Sequence, residues 1–96
     1  MKLEKQLQSK EMEEFLKAVV SLKDREEAMA FFRDVFTLEE LEEASRRFQV
    51  ANMLNDGDTF EQIQQETGMS ATTISRINYW LHHGMGGYKL MLKRRS

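Results

Sequence analysis

Apolar residues recur along this chain every three or four positions, and almost nowhere do they alternate singly with polar ones. Met12, Phe15, Leu16, Val19 and Val20 stand at i, i+3, i+4, i+7 and i+8, one stripe along a helix that begins near Ser9, with Lys10, Glu14 and Lys17 facing away. After a break at 21–24, Ala28, Phe31, Phe32, Val35 and Phe36 repeat the spacing, and Asp24 with Glu27 forms a capping pair at the head of a second helix. Three Phe on one face mean either core or a subunit interface. Thr37-Leu38-Glu39-Glu40 matches a capping box and starts a third helix, which runs to about Asn55 and is ended by Gly57. Its Leu41, Ala44, Phe48 and Ala51 share one side, and Val50, Met53 and Leu54 widen the apolar arc, so it is expected to be a central spar covered on more than one face.

The stretch from Thr59 to Leu81 predicts a helix-turn-helix. Thr59 can cap the N–H three residues on while Gln62 reaches back. Gly68 stands where the chain must turn sharply, and Ser70 caps a second helix. Ile63, Met69, Ile74, Ile77 and Leu81 let the pair close on a body beneath. Ala71, Thr72, Thr73, Ser75, Arg76 and Tyr79 stay on or near the outer side. Gly84, Gly86 and Gly87 stop the second helix, and a short last one carries Tyr88, Met91 and Leu92 on one side and Lys89, Lys93 and Arg94 on another. The reading is an all-α single domain over 1–96 of about six helices, with the helix-turn-helix over about 59–82.

Composition narrows the chemistry. Ninety-six residues with no Pro and no Cys suit helices throughout, leave neither disulfide nor thiolate chemistry, and fit a reducing cytoplasm. The N-terminal stretch lacks a signal peptide's apolar core, and no segment reaches bilayer-spanning length, so no membrane partner is expected. The net charge of −2 averages two unlike parts. Residues 1–66 hold 9 Lys/Arg against 16 Asp/Glu, net −7, whereas residues 67–96 hold 5 Lys/Arg and no acid, net +5. That local positive field either serves a polyanionic partner or complements a helix end.

No nucleophile with a base, phosphate loop or metal set is present, so neither an enzyme nor a cofactor is expected. His82 and His83 are adjacent and diverge by about 100° on a helix, which keeps them from chelating one ion. The glutamate runs are solvated helix faces. The helix pair from Thr59 to Leu81 is read as a docking surface for double-stranded DNA. No acid occupies the first turn after Ser70, so a positive helix end can meet a phosphate. Ala71, Thr72 and Ser75 are short enough to let the helix approach base edges. Arg76 and the region of Thr59, with Gln62 and Gln65, would touch backbone, although Glu61 and Glu66 lie nearby, so affinity is expected to be modest or strongly salt-dependent.

Residues from about Phe36 to Leu81 resemble the Trp repressor family through Thr37, Glu40, Arg47, Leu54, Gly57, Ile63, Glu66, Gly68, Thr73, Ile74 and Arg76. The whole chain is similar to that family's uncharacterised bacterial branch. The resemblance implies an intertwined homodimer whose N-terminal helices belong to a shared core, and sequence-specific DNA binding by a transcriptional regulator. One departure, from the general helix-turn-helix pattern, is Gln64, where a small residue is usual at the helix crossing. Another concerns the effector. In Trp repressor two arginines flank the bound indole, and Arg47 and Arg76 match them, but the glycine after the second is here Ile77 and a serine farther along is Trp80. The resemblance therefore implies an effector pocket bounded by Arg47, Arg76, Ile77 and Trp80 that overlap closes to L-tryptophan, leaving constitutive binding or an unknown effector. The two arginines can equally pair with the abundant acids. The alternative to a DNA regulator is a helical protein-protein interaction module that keeps the helix pair for structure alone.

Overall fold

The computed structural model describes residues 3–95, and every regular element in that range is helical. A 3₁₀ turn, Lys5–Gln8, leads into α1 (Lys10–Val20), α2 (Arg25–Val35), α3 (Leu38–Asn55), α4 (Phe60–Thr67), α5 (Ala71–His83) and α6 (Gly87–Arg94). The starts are fixed locally. Ser9 accepts the Met12 N–H and Asp24 accepts the Glu27 N–H. Thr37 with Glu40, and Thr59 with Gln62, close two reciprocal boxes in which the hydroxyl accepts at 3.1 Å and the backbone N–H of the cap donates back at 2.8 Å. Each such cap satisfies donors that a helix end leaves orphaned and contributes about 1 kcal/mol.

The chain forms two compact units, one up to Leu41 and one from Glu42 onward. In the first, α1 and α2 meet through an aromatic layer. Phe15 lies 5.8 Å from Phe31 and 6.2 Å from Phe36, the latter edge-on, and Phe36 lies 5.8 Å from Phe32, separations at which ring quadrupoles attract. None of the helical residues described in this unit is fully buried. Leu16, Val20, Met29 and Val35 are about half exposed or more, Val20 reaching 84%.

The second unit owns the buried core. Val50, Ala51 and Met53 of α3 pack with Ile63 of α4 and with Ile74 and Ile77 of α5, and Leu54, Met69 and Tyr88 lie against them. The expected arc on α3 is realised over its C-terminal half only. Ala44 and Phe48, on the N-terminal side, remain exposed, because no element of their own unit covers them. Leu81 and Leu92 are also buried, which seats α6 beside α5.

Candidate nucleic-acid interface

The corner between α4 and α5 takes three residues. Gly68 adopts φ 74°, ψ 3°, a left-handed conformation that a side chain would strain, and its N–H bonds the Gln64 carbonyl at 2.9 Å. Thr67 braces the approach: its hydroxyl donates to the Ile63 carbonyl at 2.7 Å and accepts the Met69 N–H at 3.2 Å. Ser70 then caps α5 by accepting the Thr73 N–H at 3.1 Å. Met69 packs down on the core from within the turn. The corner is thus held by its own polar groups and by one apolar anchor.

Burial along α5 separates an anchored side from an open one. Ile74, Ile77 and Leu81 are buried. Ala71, Thr72, Ser75, Arg76 and Tyr79 are exposed, and no acid stands in the first turn. Thr73 differs from the rest of that group. It is half-buried, and the Ser70 hydroxyl donates to its Oγ1 at 3.0 Å, so its hydroxyl is already engaged in the cap. Thr59, which caps α4, and Gln62 and Gln65 on that helix are exposed. Gln62 spends its side-chain carbonyl on the Thr59 N–H, and with Gln65 it lines a shallow depression shared with Asp58 and Glu66.

Of the four residues of the expected effector pocket, Trp80 alone lines the apolar groove described below. Arg47 is exposed and pairs with Glu43 at 3.6 Å, one turn back on the same helix. Arg76 projects from the open side of α5, whereas Ile77 is 4% exposed and belongs to the core. Trp80 is about half exposed and lines an open apolar groove with Phe48, Met85, Tyr88 and Met91, in which neither arginine takes part. Its ring stands edge-on to Tyr79 at 5.2 Å, and Tyr79 lies 4.9 Å from His83. This groove escaped sequence reasoning, which placed Trp80 only by its position in the effector slot; the signal available was the apolar character of Phe48, Met85 and Met91 on faces left over from the core.

A small all-helical chain with a braced three-residue corner and a second helix open along one side defines the helix-turn-helix class. The model of the family Trp repressor protein matches residues 10–96, and the chain belongs to that family. An uncharacterized protein, YerC, of Bacillus subtilis (strain 168) is 40% identical over 88 residues, which is 92% of this chain and 85% of the relative. The crystal structure of a TrpR like protein from Eubacterium eligens ATCC 27750 superposes with a TM-score of 0.90 at 41% identity, covering 95% of this chain and 94% of the other. A second solved structure, from Staphylococcus aureus, gives 0.86 at 38% identity, covering 93% and 89%.

Proposed function

We propose that this protein is a homodimeric transcriptional regulator that binds double-stranded DNA sequence-specifically and acts as a repressor, with the N-terminal half of α5 in the major groove. The observation that carries the reading is the open N-terminal half of α5, acid-free in its first turn, where Ala71, Thr72, Ser75 and Arg76 face solvent while Ile74 and Ile77 anchor the opposite side. Helix N–H groups without intrahelical partners suit a phosphate there, and short side chains permit close approach to base edges. Dimerisation is supported by the first unit, whose helices leave Leu16, Val20, Met29 and Val35 exposed, and by the exposure of Phe48, Trp80, Leu90 and Met91 in the second; apolar surface of this kind in a short chain marks an association face. No helix among the described residues is long and apolar enough to cross a membrane.

Selection of bound duplexes from a random pool tests the proposal. The expected product is one palindrome whose half-sites lie about one helical turn, roughly 34 Å, apart. Its affinity falls steeply as salt rises, since each neutralised phosphate releases a counterion. Equal, weak binding to every duplex overturns the reading in favour of a helical interaction module.

We propose further that L-tryptophan is not the effector of this chain. Ile77 fills core space where the family's glycine leaves room for an indole, and Arg47 is engaged by Glu43. Calorimetry of the purified protein with L-tryptophan is expected to show no binding heat up to millimolar ligand, and a stoichiometric micromolar isotherm refutes this.

A further inference from the structure

Among the described residues, every side-chain hydrogen bond but two joins positions no more than five apart. The two exceptions come from one guanidinium. Arg95, the residue that closes α6, donates from Nη1 to the Asn52 Oδ1 and from Nη2 to the Asp56 Oδ1, each at 2.5 Å and across 43 and 39 positions of the chain. Asn52 is oriented for this role, because its Nδ2 donates to the Phe48 carbonyl at 2.8 Å and so turns its oxygen outward.

The acceptors sit where α3 needs a cation. That helix has no basic residue in its last turn, and Asp56, directly after it, adds a carboxylate to the negative end of the helix dipole. Beyond lies the turn from which α4 and α5 extend. The Gly57 N–H bonds the Leu54 carbonyl at 3.1 Å and the Asp58 N–H bonds the Met53 carbonyl at 3.0 Å, with Gly57 at φ 87°, the double closure of a Schellman end. A lysine could serve one of the two acceptors, whereas the planar fork of arginine serves both.

We propose that Arg95 is a positioning residue. By neutralising Asp56 and holding Asn52 and Asp56 one turn apart, it pins the α3–α4 turn and so fixes the direction in which the helix-turn-helix leaves α3. The consequence for DNA rests on the function proposed above; the pin itself does not.

Hydrogen exchange at the Gly57 and Asp58 amides reads the pin without DNA. In full-length Arg95→Ala both amides are expected to exchange about fivefold faster, the effect of losing a partly exposed charged tie on a local opening. Arg95→Lys falls between, and Arg94→Ala, which removes the same charge one residue earlier but none of these bonds, leaves the rates unchanged. On the selected palindrome Arg95→Ala loses more of its preference over random duplex than Arg94→Ala does. Wild-type exchange at Gly57 and Asp58 in Arg95→Ala overturns the pin. Accelerated exchange with the same duplex preference as Arg94→Ala overturns the positioning role. If no form prefers any duplex while exchange accelerates, the DNA reading fails and the pin stands.

Discussion

Thr72→Asp is expected to abolish selective duplex binding while leaving helix content and oligomeric state unchanged. Thr72 is exposed and is the second residue of α5, in a first turn without acids. A carboxylate at that position is favourable to the isolated helix, because it faces the positive end of the dipole, so folding has no reason to suffer. Against a duplex the same charge meets phosphates at close range and removes a hydroxyl and a methyl from the groove. Losing one base-edge contact costs about 1–3 kcal/mol, and repulsion adds to it, so affinity for the selected palindrome should fall roughly a hundredfold or more. Thr72→Ala keeps the surface neutral and should lose about tenfold at most. Fluorescence anisotropy at two salt concentrations, with circular dichroism and light scattering on the same samples, checks both. If Thr72→Asp binds the palindrome as tightly as the parent chain does, α5 is not the reading helix.

The elements were legible in the sequence because their determinants are local. Asp24, Thr37, Thr59 and Ser70 each stand at the head of the helix they are expected to cap, and all four side chains accept the expected N–H, as does Ser9 where the first helix is expected to begin. Gly68 takes the left-handed conformation that its place in the corner demands. Periodicity likewise separates the buried side of α5 from its open side. Periodicity does not say what lies opposite an apolar face. Ala44 and Phe48 share the stripe that Ala51 completes, yet only Ala51 is buried, because α4 and α5 reach one end of α3 and not the other. Thr73 shows a finer limit. It belongs to the outer group by sequence, but the Ser70 hydroxyl that binds its N–H also donates to its side chain, so a residue grouped with the reading surface is partly consumed by the cap. The Arg95 tie was invisible for a simpler reason: hydrogen bonds between positions some forty apart leave no local pattern, and the 3₁₀ turn at Lys5–Gln8 has neither the length nor the stripe to announce itself.

Ile74→Ala is expected to cost about 3–4 kcal/mol, the middle of the range for truncating a buried isoleucine. The side chain is fully buried in the core cluster that also holds Val50 and Ala51 of α3 and Ile63 of α4, so its removal opens space where the helix pair meets its support. Neighbours cannot collapse into the space. Ile63 and Val50 are themselves at 0% exposure and their helices are fixed at both ends, so the cavity term adds to the lost transfer energy. A domain of this size holds only about 5–15 kcal/mol in total, and the midpoint of thermal unfolding should drop on the order of 15 °C, measured at one fixed protein concentration because association contributes to the midpoint. Ser75→Ala, the adjacent exposed position, should stay within about 0.5 kcal/mol of the parent. The contrast between neighbours one residue apart is what an amphipathic α5 requires, since successive side chains point about 100° apart around the helix. A loss below about 1 kcal/mol for Ile74→Ala means that α5 is not seated on α3 and α4 through this side, and then the solvent-facing direction of Thr72 and Ser75 loses its physical basis as well.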